Sequence, residues 1–545
     1  MAVSQLLLSP FLAHPVLALF LLPTLLLALR ILHRLTPSHP LSHIPGPILA
    51  RTTSLWLTYH AWIGDEASTV HALHATYGPI VRTGPNSVDI LDGAALAALY
   101  TDKGGFPKAD FYANFDIDGH KSIFSETDVA RRAPRAKAVA ALFSTSSLRA
   151  GQDVIYGCVD RFVDRLAEGS KIGAKEGKGR AVVNLLNLTR GLAVDAVSSY
   201  LLGDDYGALG ENVAVIEGRE KDAEKTTNKH QHQHDEREMS ASGMVNCFVA
   251  VGRFWYLPTW AFQLLERFDA WWNAEDEVSQ SLNLVDEFVA RVVQSAESAI
   301  ALSNQQQHSP EKPSPSDASP SAATENQLGT YPARMLLAGF TPSEVRAQCK
   351  DLIFAGTDST GMNLATILFH LVRNPDIYKS LRDEILTANP SFDDLQSLPL
   401  LRNVIKEGLR ISMANPSRLP RVVPGPQGWT FHSTTNTTTY FPPGTVVSCT
   451  PHSLHFNPSV FADAHTFRPE RWTQPTEEML RDAIPFGLGL RQCIARNLAT
   501  VELFCAVERV VRADVLAGAT TANDSIDILE WFNSKVVGER IDLVW

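Results

Sequence analysis

The longest apolar stretch of the chain lies at its start. From Leu6 to Leu32 the first charge is Arg30, and Leu17–Leu29 is almost wholly apolar. That is about the length a bilayer-crossing helix needs, and Pro15 and Pro23 are tolerated in such helices. No charge precedes the run, whereas Arg30 and Arg34 follow it. The positive-inside rule therefore predicts one transmembrane anchor over 6–32 with the body of the protein cytosolic. A cleaved signal peptide is the competing reading, but the run is long and no basic residue leads it. Residues 33–47 carry Pro37, Pro40, Pro45 and Pro47 and read as a stiff linker, since proline fixes φ and removes a donor.

Beyond the linker, helical periodicity predominates. Val81–Leu91 alternates loosely about Gly84-Pro85-Asn86 and predicts a hairpin. Thr341-Pro342-Ser343-Glu344 combines an N-cap, a proline at the first helical position and a capping box. The apolar-rich helix it opens is expected to run to about His370, before Asn374-Pro375. A further helix is predicted over Arg496–Val511, with short strands near 445–448, 526–529 and 540–543. Two segments, 217–238 and 303–326, are densely charged or rich in Gln, Ser and Pro, and read as poorly ordered insertions. The first contains His230, His232 and His234, better read as a solvated loop than a metal site. Helices far outweigh strands and the two do not alternate, so the fold class is mainly α with a small β region, not a doubly wound sheet.

Hydrophobic residues make up 45% and charged residues 20% of the 545-residue chain, the balance of a globular protein with a sizeable core. A net charge of −11 argues against nucleic acid as a partner. Six scattered cysteines without a Cys-x-x-Cys pair support neither zinc nor a disulfide framework. No Gly-x-Gly-x-x-Gly joins a strand to a helix, so an intrinsic nicotinamide or flavin domain is not expected.

One cysteine stands apart. Cys493 ends the glycine-punctuated loop Phe486-Gly487-Leu488-Gly489-Leu490-Arg491-Gln492 and precedes a helix. A helix N-terminus and a nearby cation both lower a thiol pKa, so this thiol should be easily held as thiolate. A nucleophile, a redox thiol and an axial iron ligand all remain open on that reading. In the central helix, Ala355-Gly356-Thr357-Asp358-Ser359-Thr360 places Gly356 one turn before Ser359 and Thr360, so the three can share a face. A glycine there lets the helix approach a large ligand, hydroxyls can open the ladder around a water, and Asp358 can relay protons to it.

The pattern Phe-x-x-Gly-x-Arg-x-Cys-x-Ala over 486–495 resembles the haem-binding loop of the cytochromes P450. Three more segments resemble that family in order: the oxygen-activation segment at 355–360, Glu407-x-x-Arg410, and Phe467-Arg468-Pro469-Glu470-Arg471-Trp472. The departure is Ser359, where threonine is commoner. The resemblance covers roughly residues 40–545 and looks most like microsomal enzymes of filamentous fungi. It implies a P450 fold over 48–545 enclosing haem b, with Cys493 as the axial iron ligand. Phe486, Gly489 and Arg491 would be further haem-binding residues, and Arg421, Arg132 and Arg135 would face the propionates. Asp358, Ser359 and Thr360 would manage proton delivery, while Glu407, Arg410 and Arg471 would form a buried structural triad. The implied reaction is monooxygenation of a lipophilic small molecule with O2 and electrons from NADPH-cytochrome P450 reductase, cytochrome b5 being a further donor, at the endoplasmic reticulum membrane. A P450-fold isomerase or dehydratase needing no reductase, and a non-enzymatic haem sensor, are the alternatives. Phe106–Phe115 would be the substrate-covering loop, its aromatics either clamping a ligand or simply packing.

Overall fold

The central helix Pro342–Arg373 organises the computed structural model, which describes residues 15–176, 181–211, 216–217, 239–272, 276–307 and 326–545. Its predicted capping box is present: Thr341 Oγ1 accepts from the Glu344 N–H at 3.3 Å, and Glu344 accepts from the Thr341 N–H at 3.0 Å. The helix ends three residues later than predicted, where Asn374 and Pro375 open the next one. Most of its faces are apolar because helices Leu185–Val197, Asp276–Gln307, Pro399–Ile411 and Arg496–Arg512 surround it. Every residue of Leu185–Val197 is buried, so that helix is core on all sides.

The predicted hairpin forms from antiparallel strands Ile80–Gly84 and Ser87–Ile90, pairing Arg82 with Val88. The second of these pairs in parallel with Val446–Ser448, which pairs in turn with Arg421–Val422. Lys108 bridges Arg421 at the edge of that sheet. Residues more than 300 positions apart are thereby brought together. The predicted C-terminal strands appear as Ile528–Leu529 and Asp542–Val544, the latter closing on Ala181–Asn184 and Thr520–Thr521. The hairpin Trp429–His432 with Thr438–Phe441 had no sequence signal strong enough to mark it.

The predicted anchor 6–32 lies partly outside the described residues. Its later part is the helix Pro15–Leu35, which runs three residues into the proposed linker. Among the described residues no helix is long and apolar enough to cross a membrane. The described, uncharged part of this one, Pro15–Leu29, spans about 22 Å at helical rise. The insertions predicted at 217–238 and 303–326 fall outside the described residues over 218–238, with the three alternating histidines, and over 308–325, whereas 303–307 are not an insertion but the last turn of helix Asp276–Gln307.

Candidate active site

The 486–493 loop is shaped by its glycines. Gly487 and Gly489 both sit at φ +66°, and a side chain on Gly489 would collide with the Tyr100 carbonyl. The Cys493 N–H donates back to the Phe486 carbonyl at 2.9 Å, closing the loop just before helix Arg496–Arg512. Cys493 is exposed although it lies deep in the protein, so its thiol opens onto interior space. Burial pushes that thiol above its ordinary value, and the Ala495 N–H and Arg496 counter this only in part. The expectation of a readily formed thiolate is thus corrected: desolvation outweighs helix end and cation, and a metal cation at Sγ would be what holds the anion.

On the central helix, Asp351, Ala355 and Ser359 fall four residues apart on one face, Ala355 exposed and the other two partly so. The Ser359 hydroxyl donates to the Ala355 carbonyl at 2.9 Å. The neighbours expected to join it point elsewhere. A Cβ on Gly356 would lie 2.7 Å from Val197, so this glycine admits helix Leu185–Val197 rather than a ligand. Asp358 is buried and accepts from Arg190, at 3.0 Å from Nε and 2.5 Å from Nη2. Arg190 also donates to Glu539 at 2.9 Å. Thr360 is buried on a different face from Ser359.

Cations converge beside the thiol loop. Arg491 donates to the carbonyls of Glu126 and Thr127 at 2.5 and 2.6 Å. Arg132 donates to the Ile123 carbonyl at 3.1 Å, and Arg421 to that of Pro420 at 3.0 Å while lying over the Tyr100 ring. Burial holds Arg491 down to about 10, with Arg132 and Arg421 adding repulsion. Lys108 joins them. It is 6% exposed, donates to the Phe124 carbonyl at 2.5 Å, and sits 4.1 Å from the ring centres of Tyr112 and Phe124. Burial lowers its pKa well below the usual range, reinforced by Arg421, Arg491 and Arg132 and opposed by Asp351 of the central helix. Arg135 stands apart from this set, because Glu126 and Glu344 lie 3.8 and 3.5 Å from it. Its helix, Val129–Val139, is capped by Asp128 and runs through Pro134.

The Glu407 carboxylate, fully buried, accepts from Arg410 Nε and Nη2 at 3.0 and 2.8 Å and from Arg471 at 3.0 Å. The Arg468 N–H and the Trp472 indole add bonds at 3.0 and 2.9 Å. Burial works against the charge, yet these donors keep the carboxyl below its ordinary value. The predicted three residues therefore meet, joined by Trp472.

Sequence reasoning missed Lys108 and Arg190. Each carried a faint signal as a lone cation, the first in an aromatic loop and the second inside an apolar helix. The aromatics of that loop mainly pack: Tyr112 and Phe115 are buried in a cluster with Trp255 and Phe532.

A dicarboxylate macrocycle with a soft metal fits this set of groups. The donor is a thiol, Lys108 and three arginines crowd together with too few anions of their own, and Lys108 links them to a helix face of small residues. The chain also matches the family model of Cytochrome P450 over residues 52–513. It is 38% identical to a cytochrome P450 monooxygenase, mfmF, of Annulohypoxylon moriforme, over 95% of this chain and 98% of that one. Pisatin demethylase of Fusarium vanettenii is 27% identical over 87% of this chain and 83% of its own. Benzoate 4-monooxygenase of Aspergillus niger is 27% identical over 93% and 92%. The chain therefore belongs to the cytochrome P450 family, as a monooxygenase whose cofactor is haem b bound through a cysteine thiolate.

Proposed function

We propose that this monooxygenase oxidises a lipophilic small molecule of secondary metabolism at the site built by Cys493, the cation cluster and the 351–359 face of the central helix. The observation that carries the reading is the geometry of the thiol loop, closed by the Cys493 N–H on the Phe486 carbonyl, with its Arg491 bonded to the Glu126 and Thr127 carbonyls just before the helix that bears Arg132. Haem supplies O2 activation and insertion of one oxygen atom. Cys493 is the ligand, and Phe486 excludes water around its sulfur. Arg132, Arg421 and Arg491 hold the propionates, and Gly489 lets the loop lie close. Arg135 acts through Glu126, whose carbonyl orients Arg491. Ser359 holds or passes a proton at its hydroxyl. Asp358 can supply protons only by releasing Arg190, and Thr360 is the reserve hydroxyl.

Electrons come from NADPH-cytochrome P450 reductase in the same membrane, reached through the anchor at 6–32. Exposed Ile48, Leu49, Leu55 and Trp62, on the helices that follow the linker, support a membrane-facing side, as do Trp260 and Leu264 of helix Thr259–Trp272. With the catalytic domain cytosolic, the exposed sequons at Asn436 and Asn523 stay unglycosylated in cells; Asn187 is buried and says nothing about topology.

The test is the carbon monoxide difference spectrum of the reduced protein, followed by turnover with NADPH, O2 and reductase. A thiolate-type Soret band is expected, and Cys493→Ala abolishes it. Ser359→Ala keeps the band but lowers product formed per electron. Turnover without reductase would sink the monooxygenase reading in favour of an isomerase or dehydratase.

A further inference from the structure

Residues 252–258 join helix Ser242–Val251 to helix Thr259–Trp272. The N–H groups of Gly252, Arg253, Phe254 and Leu257 bond to carbonyls three residues back, so they tie the segment to nothing beyond itself and the preceding helix. Two side chains tie it to the rest of the protein. Asn114 donates from Nδ2 to the Trp255 and Leu257 carbonyls at 2.9 Å each. The Tyr256 hydroxyl donates to Glu66 Oε1 at 2.6 Å and accepts from Arg418 Nε at 3.3 Å. The receiving side is rigid. Arg418 holds the same Glu66 oxygen at 3.2 Å and donates from Nη1 to the hydroxyls of Thr83, Ser87 and Ser448 at 2.9, 3.1 and 3.3 Å. Beneath the segment, Trp255 is fully buried, with its ring 5.5 Å from Tyr112 and 5.0 Å from Phe532. Tyr112 lies in turn 4.1 Å from Lys108 of the cation cluster. A layer of rings thus runs from Tyr256 to the edge of the active site. Closure leaves two buried atoms without a partner among the described residues, Trp255 Nε1 and Glu66 Oε2. Opening gives both of them water, so the closed form rests on two polar ties and ring packing.

We propose that Tyr256 is a latch: its hydroxyl, held by Glu66 and Arg418, keeps residues 252–258 closed over the ring layer, and its release admits bulky molecules to the site at Cys493. The proposal rests on the monooxygenase reading above, which places the reacting centre inside the ring layer. The phenol is the point that can part. Glu66 and Arg418 stay paired with each other when it leaves, so no buried charge is stranded. Separating that pair instead would strand both, and Arg418 is fixed by three hydroxyls besides. A latch acts on rates. It slows entry and exit alike, so it leaves the affinity of a ligand that does not touch Tyr256 unchanged. It also selects by size, because a small molecule can pass the rings without moving the segment.

The experiment follows the Soret shift of haem-loaded, full-length protein by stopped flow, with imidazole as the small iron ligand and clotrimazole as the bulky one. It is run at about pH 8, above the value of about 7 to which burial raises Glu66, so that the latch bond is made to a carboxylate. Tyr256→Phe keeps the ring and removes the hydroxyl. Clotrimazole should then bind and leave about tenfold faster, the scale of one hydrogen bond to a charged group, with its affinity unchanged. Imidazole rates should stay as they were. Asn114→Ala cuts the second tie without touching the first, and should speed clotrimazole in the same way even if Tyr256→Phe folds poorly. Clotrimazole rates that ignore both variants overturn the proposal. So does a faster exit with unchanged entry, which would make Tyr256 a ligand contact. Equal acceleration of imidazole also overturns it, as a general loosening of the fold. A wild-type protein whose Soret band does not respond to imidazole would refute the haem site itself, whereas a response with rates indifferent to Tyr256 refutes the latch alone.

Discussion

At the scale of single residues, the heaviest demand on the sequence is the buried carboxylate of Glu407. Two arginines, a backbone N–H and an indole satisfy it completely, so the site is stable only as a set. Glu407→Gln keeps the shape but strands Arg410, which is fully buried, and Arg471. It should cost about 3–5 kcal/mol, read as a lower denaturation midpoint. Trp472→Phe removes a single bond to the charge and should cost about 1.5–3 kcal/mol. Equal losses in the two variants would contradict this ordering. Glu407 and Arg410 were legible because they stand three apart on one helix, and Arg471 because a motif carried it. Trp472 was in plain view beside Arg471, yet its donor role depends on a carboxylate 65 positions away. Lys108 was hidden for the same reason, since its cationic neighbours come from three other segments.

At the scale of elements, local chemistry was the most readable. The capping box fixed the start of the central helix, and its end was misplaced by only three residues. Which face each side chain takes was less readable, because helix spacing groups residues without saying what packs against them. Gly356, Ser359 and Thr360 were expected on one ligand-facing surface. Contact with helix Leu185–Val197 claims Gly356 and, through Arg190, Asp358, leaving Ala355 and Ser359 on the open side. This separation is testable. Gly356→Ala should gain about 1 kcal/mol of helix propensity, but its Cβ would press on Val197 at 2.7 Å. Overpacking of that kind costs about 1–3 kcal/mol, so the variant should be less stable than the parent. Adding Val197→Ala should restore part of the loss. A stabilised single variant would show that the helix–helix contact is looser than described.

At the scale of the whole molecule, buried ionisable groups of both kinds set how stability depends on pH. Burial lowers His452 and His455 to about 3 and His370 to about 4, with Arg410 adding to the effect on His455. His455 is locked neutral by its bonds, because Nε2 must accept from the Ile484 N–H while Nδ1 faces the Arg410 carbonyl. When unfolded, these histidines take up protons near pH 6.5, whereas the folded protein does not until far lower pH. Stability from this group is therefore present above about pH 6.5 and is lost as pH falls toward 4. Glu66 and Glu502 act in the opposite sense. Burial raises them to about 7 and about 8, and both Glu502 oxygens lack a hydrogen-bond partner among the described residues. The folded protein keeps these protons through the range where the unfolded chain has released them, so their contribution fades as pH rises from about 4.5 to 8. The two opposed contributions give the holoenzyme a stability maximum between these ranges, with a decline on either side. Thermal denaturation across pH should show that dome. His452→Phe should flatten the acidic limb and Glu502→Gln the alkaline one, each leaving the other limb in place. A limb that does not respond to its own variant would mean that its pH dependence comes from elsewhere, the thiolate ligand being the first group to examine on the acidic side.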